Sequence, residues 1–238
     1  MTTNIDNVVL STYSLVKTLM RFDIITIFPN FFKGFLSESL LARAQKNKLL
    51  RINVHNLRKW AKDPLRPESG ASRHQTVDGK PFGGGVGMVL KVEPISKAVK
   101  AIRKKGKKAK VILFSPRGKQ FDQKMVKRFS KLDQLVLISG RYEGVDERVA
   151  EYIADEVISV GDYVLSGGEV PSMVMIEAVS RLIPGVIGKK ESAEKFDHPQ
   201  YTRPEVFEID HRKISVPKVL LSGNHKKIGE WRKNHSKV

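Results

Sequence analysis

Two glycine-bearing loops, at 139–144 and 161–168, each sit between an apolar, β-rich run and a helical pattern. The runs are QLVLIS (134–139) and EVISV (156–160). Strand, loop and helix repeated in immediate succession restrict the chain to an α/β fold with a mainly parallel sheet and helices on both faces. In such a sheet the loops at the carboxyl edge of the strands build the ligand crevice. Glycine lets a ligand approach the main chain closely, so the two loops predict a cleft made largely of backbone.

The flanking sequence extends the same alternation. An apolar strand is predicted over 22–28 and closed by Pro29, a helix over 37–47, and an alternating strand over 50–56. Residues 57–90 read as a long irregular stretch, a length usually tied to function or mobility. Helices follow at 94–104 and 122–130, with a strand at 110–114 between them. A short helix is predicted over 146–153. Pro171 suits the first turn of a helix that runs to about 183, where Pro184 and Gly185 stop it. Residues 186–205 read as a polar interdomain linker, and 206–238 as a basic segment with one helix at 226–234.

GGGVG at 83–87 lacks the Gly-Lys-Ser/Thr of a nucleoside-triphosphate loop and the dinucleotide Gly-x-Gly-x-x-Gly spacing after a strand, which disfavours both chemistries. Cysteine is absent, which rules out disulfides, thiolate catalysis and cysteine metal sites and fits a reducing cytosol. Lys plus Arg number 43 against 25 Asp plus Glu, a net charge of +18 that points to a polyanionic partner. Seven of the eleven residues at 100–110 are basic; the run reads as a solvated helix end or as direct RNA contact. No apolar run approaches the roughly 18–20 residues of a membrane span. Residues 1–19 carry no basic run ahead of an apolar one, so no secretory signal is predicted, and the segment is expected to be a disordered extension or the product of a misassigned start codon.

Several strings resemble one family in the right order: FDIITIFP (22–29), PFGGGVGM (81–88), SPRGK (115–119), GRYEGVDER (140–148), VGDYVLSGGE (160–169), RLIPGV (181–186) and YTRPE (201–205). They resemble the bacterial tRNA (guanine-N1)-methyltransferases of the SPOUT class. The resemblance runs from about Met20 to near the end of the chain. It implies methyl transfer from S-adenosyl-L-methionine to N1 of guanosine at tRNA position 37, in the cytoplasm, by a homodimer whose site lies between subunits. It also implies a trefoil knot in the cofactor half of a methyltransferase domain at 20–185, although general topology rules argue against knots.

On this resemblance the cofactor meets three strand-end loops. The first supplies Phe114, Ser115 and Pro116; the second Gly140, Tyr142, Glu143 and Gly144; the third Val160, Gly161, Asp162, Tyr163, Val164, Leu165, Gly167 and Gly168, with Pro171 behind it. Without the resemblance Tyr163 and Leu165 read as ordinary packing. Magnesium is a further expected ion, with Glu143 as its contact, and no dedicated metal site is expected.

Methylating guanine at N1 demands loss of its proton, with charge spreading to O6, so a carboxylate base and a cation are the expected tools. The resemblance places the cation at Arg181. The base is where the chain departs from the family, whose aspartate follows a Ser-Ala-Glu string in a longer linker. Here Ser192-Ala193-Glu194 is followed by only six residues before YTRPE. Asp197, the sole linker aspartate, is the expected base and Glu194 the alternative, with Asp162 and Glu143 as further carboxylates in the cleft. Family members also continue into more tRNA-gripping helices beyond 232, so a shortened C-terminal domain at 206–238 with weaker RNA grip is expected.

Overall fold

The computed structural model describes residues 19–61, 76–188 and 198–236. The chain forms two compact units divided after Gly188. The first is built on five parallel strands: β1 (Met20–Thr26), β2 (Leu50–Asn56), β5 (Ala109–Gln120), β6 (Gln134–Ile138) and β7 (Glu156–Ser159), in spatial order β2-β1-β6-β5-β7. Two-residue strands β3 (Asp78–Gly79) and β4 (Val89–Leu90) pair separately within the stretch expected to be irregular.

Parallel neighbours cannot be joined by tight turns, so helices cross over both faces. Helices α1 (Lys33–Ser37), α2 (Ser39–Lys46), α4 (Gln123–Phe129) and α6 (Glu169–Arg181) cover one face, around Phe22, Ile24, Leu135 and Leu137. On the other face, α3 (Val92–Ile102) and α5 (Glu147–Tyr152) pack around Ile25, Val136 and Ile138. Successive residues of β1 and β6 thus feed opposite cores, and every residue of β6 is buried. Burying each such side chain stabilises the fold by roughly 1.5–3 kcal/mol.

One helix and one strand differ from expectation. The helix expected over 37–47 breaks at Glu38, which is extended, and splits into α1 and α2. β5 runs past 114 to Gln120, but interrupted: Phe114 and Lys119 both pair with Ile158, and 115–118 loop out between them. Pro116 has no N–H to give the ladder. Gly118 passes so close to Ile158 that a Cβ would sit 2.5 Å from its backbone nitrogen.

Beside the second core lies a buried carboxylate, Asp23, with no exposed surface. It accepts from Arg21, from His55 Nε2 at 2.8 Å, from Asn53 Nδ2 at 3.0 Å and from Gln134 Nε2 at 2.7 Å. Burial alone would raise its pKa. The hydrogen bonds from His55, Arg21 and Gln134, with the Arg21 charge, overcome that and hold it at about 2, below the ordinary 3.8. A depressed carboxylate contributes stability that is present above the unfolded-state value and lost as pH falls through the folded one. We therefore expect about 2 kcal/mol of stability to disappear between about pH 4 and pH 2. Urea melts of Asp23→Asn across that window should show a shallower pH dependence than the parent; parallel curves would remove Asp23 from the account.

In the second unit the expected helix is present as α8 (His225–His235). The segment is not purely helical, however. It opens with an antiparallel hairpin, β8 (Val206–Ile209) and β9 (Arg212–Ser215), followed by α7 (Lys218–Leu221). Asp210 and His211 turn the hairpin with φ of 49° and 61°, the left-handed pair that fits a two-residue turn to strand twist. Trp231 gathers the unit's aromatics: it stacks on His235 at 4.2 Å and meets His198 and Tyr201 edge-on.

Candidate active site

Three loops leave the carboxyl ends of the central strands: 115–118 from β5, 139–146 after β6 and 160–168 after β7. The last two touch through their backbones. Gly168 N–H donates to the Gly140 carbonyl at 2.9 Å. A Cβ on Gly168 would lie 2.6 Å from Ser139 Cα and 2.9 Å from Gly140 N, so only glycine permits this approach. The second loop is also fastened to the glycine-rich segment. Glu143 N–H donates to Met88 O, Leu90 N–H to Gly144 O and Asp146 N–H to Leu90 O, each at 3.0 Å. Phe82 and Val86 in that segment stand almost wholly exposed.

Behind the loops lies a buried polar layer. Glu169, the first residue of α6, is fully buried. Its carboxylate accepts from Thr26 Oγ1 at 2.6 Å and from Arg141 Nε at 2.8 Å. The positive end of the α6 dipole favours an anion at that position. Arg141 donates further to Ser166 O at 3.3 Å and lies over the rings of Phe28 and Phe31, 4.9 and 5.5 Å from their centroids. Ser139 Oγ and Ser172 Oγ meet at 2.9 Å, and Ser172 Oγ also donates to Gly168 O. The end of β1, the loop after β6 and the loop after β7 are thereby tied together. Sequence reasoning missed Thr26, Arg141 and Glu169 in this role. Arg141 and Glu169 stand inside the matched strings, so a glycine-loop arginine and a first-turn glutamate were available as signals. Thr26 stands in a matched string too, FDIITIFP, but it meets Glu169 across 143 positions, a contact that nothing local announces.

The expected cofactor residues fall around these loops. Phe114 is buried at the end of the first half of β5, and Ser115 and Pro116 begin its excursion. Tyr142 adopts a φ of 61° and is half-exposed. Gly144 stands at the turn toward α5. Val160, Gly161, Asp162, Val164, Leu165 and Gly167 line the third loop. Tyr163 folds back, its hydroxyl donating to Val160 O at 3.2 Å, while Val164 points to solvent. Pro171 is buried on α6. Arg181 is not brought to the loops of its own chain. It ends α6, twelve residues beyond Glu169 and so about 18 Å along the axis, where it pairs with Glu177 at 3.9 Å. Asp197 and Glu194 lie outside the described residues. Among the described residues no cluster of three or more His, Asp or Glu could hold a metal ion, and no helix is long and apolar enough to cross a membrane.

A parallel sheet flanked by helices, with two glycine loops in backbone contact at its carboxyl edge, is the arrangement in which α/β proteins bind their ligands. Residues 20–238 match the family model described as tRNA (Guanine-1)-methyltransferase TrmD. The chain belongs to that family. It is 47% identical over 221 residues to the tRNA (guanine-N(1)-)-methyltransferase of Citrifermentans bemidjiense, covering 90% of this chain and 84% of the relative. The enzyme of the same name from Carboxydothermus hydrogenoformans is 47% identical over 224 residues, with coverage of 91% and 83%. That from Ruminiclostridium cellulolyticum is 47% identical over 225 residues, covering 91% of both chains.

Proposed function

We propose that the chain transfers a methyl group from S-adenosyl-L-methionine to N1 of guanosine at tRNA position 37. The observation that carries the reading is the backbone closure of Gly168 on Gly140 at the carboxyl edge, in a chain of this family. The cleft fits the donor. Its glycines let the two loops close on each other, its backbone would offer hydrogen bonds to an adenine, and Phe114, Tyr142, Leu165 and Pro171 would supply apolar walls. S-adenosyl-L-methionine, when bound, offers an electrophilic methyl on sulfur. The chain's own residues do the remainder: a carboxylate, Asp197 or Glu194, takes the N1 proton, and Arg181 meets the negative charge that gathers on O6. With the donor bound, the N1–methyl carbon bond would form as the carbon–sulfur bond breaks, the thioether leaving with the sulfur's electron pair. Asp162 and Glu143 are further carboxylates in the cleft, and Glu143 would be the contact for a magnesium ion. The reaction belongs in the cytoplasm.

The working form is a homodimer. Arg181 ends α6, about 18 Å along its axis from Glu169, and a second copy would deliver it to the loops. Val170 and Val174 form an exposed apolar stripe on α6, with Phe28 and Phe31 also half-exposed, a surface suited to a like partner. The trefoil knot remains part of the proposal; the return of 160–168 onto 139–140 before α6 is the contact that supports it.

The test is transfer of labelled methyl to tRNA transcripts that differ only at position 37. Label should enter the guanosine transcript alone. Equal labelling of both would move the target elsewhere, and no labelling despite donor binding would make the chain a binding protein.

A further inference from the structure

The amino edge of the sheet, opposite the cleft, carries a concentration of positive charge that the reaction does not use. After α3 the chain runs through Arg103, Lys104, Lys105, Lys107 and Lys108, all exposed, into β5. The turn is fixed by its backbone. Lys104 N–H donates to Gln134 Oε1 at 2.9 Å, Lys108 N–H to Asp133 Oδ2 at 3.0 Å, and Asp133 N–H returns to Lys108 O at 2.9 Å. Of the basic residues, Lys107 and Lys108 line a hollow of about 650 Å³ with Gly106, Leu132, Asp133 and, just after α4, Lys131, and Lys104 and Lys105 precede it in the chain.

Some of the local charge has a structural purpose. Arg103 pairs with Asp155, and Lys110 and Arg128 pair with Glu156. Cations after α3 and α4 also complement the negative helix ends there. That accounts for a few groups only. Lys104, Lys105, Lys107, Lys108 and Lys131 have no carboxylate within ion-pair distance among the described residues. Like charges this close repel within a screening length of about 10 Å, and a polyanion relieves that repulsion. No large hydrophobic side chain is exposed in the patch, unlike a surface that inserts into lipid. A fixed, concave rim of lysines, with the Asp133 carboxylate held by the Lys108 N–H, fits a ridge of phosphates.

We propose that this rim is an RNA-backbone contact separate from the cleft. The five buried residues of β6 put about 17 Å between the two edges of the sheet. An RNA that touches both must therefore extend well beyond the loop that bears the methylated base. The proposal rests on the methyltransferase reading for the identity of that RNA, a whole tRNA held away from its anticodon loop.

The experiment compares the wild type with a variant carrying Lys104→Ala, Lys105→Ala, Lys107→Ala and Lys108→Ala. A second variant with arginine at the same four positions retains the charge. Binding of full-length tRNA and of an isolated anticodon stem–loop is measured over a salt series, beside KM and kcat for transfer. The alanine variant should bind full-length tRNA at least tenfold more weakly, with a salt slope shallower by about 0.7–0.9 for each phosphate contact removed. Its KM should rise at unchanged kcat. The stem–loop should bind as before, and arginine should restore the wild-type values. Unchanged affinity for full-length tRNA, an equal loss for both RNAs, or a loss confined to anionic lipid vesicles would overturn the proposal. If the wild type binds tRNA through the rim yet transfers no methyl, the rim stands and the methyltransferase reading falls.

Discussion

Gly168→Val is expected to abolish S-adenosyl-L-methionine binding, weakening it at least about a hundredfold in calorimetry. The added Cβ would lie 2.6 Å from Ser139 Cα and 2.9 Å from Gly140 N. Both are main-chain atoms at the end of β6, the middle strand of the sheet, and they cannot swing aside as a side-chain tip could. The loops must separate, and the Gly168 to Gly140 hydrogen bond goes with them. Gly140→Val should be milder, because its Cβ meets Val145 Cγ2 at 2.9 Å, a side-chain atom with some room to move. Gly229→Ala, on α8, where nothing lies within 4 Å, is the control for a harmless glycine replacement. Circular dichroism would verify that each variant is folded. Wild-type affinity in folded Gly168→Val would place the donor elsewhere.

Arg181→Ala should lower methyl transfer by roughly a hundred- to a thousandfold and leave donor binding nearly unchanged. The magnitude is that of removing one donor to a developing oxyanion. The selectivity follows because charge on O6 grows only as N1 loses its proton, so the arginine acts on the transition state more than on the bound substrate. The position of Arg181 adds a sharper expectation. If a second copy delivers it, mixing Arg181→Ala with Gly168→Val protomers gives dimers with one intact site, and activity returns from two inactive proteins. If the site forms within one chain, the mixture stays inactive. Single-turnover rates of the mixed sample separate these outcomes.

The legible parts of the fold were those where one rule dominates. The fully buried β6 reads as an unbroken apolar run, and the glycine loops announce where backbone must come close. The hairpin at 206–215 escaped because its turn is Asp-His rather than a glycine pair, and its strands bury neither face. The second half of β5 escaped because Pro116 and Gly118 read as a strand end, whereas the chain resumes on the same partner strand. At the site, the loops were legible from glycine spacing. The Thr26–Glu169–Arg141 layer was not, because its partners lie 28 and 143 positions apart and only the fold brings them together. The role of Arg181 came from family likeness alone, since its pairing with Glu177 on the same helix carries no sign of chemistry.

The interruption of β5 has an evolutionary side. Both ends of the 115–118 excursion are pinned to one residue, Ile158, so the sheet is indifferent to what lies at 115–117, while Gly118 must stay a glycine beside Ile158. The segment behaves as an exchangeable cassette. Lengthening it or altering its chemistry would reshape one wall of the cleft while the strands on either side keep their pairing. Ligand preference can therefore drift at this point without a matching change in the core.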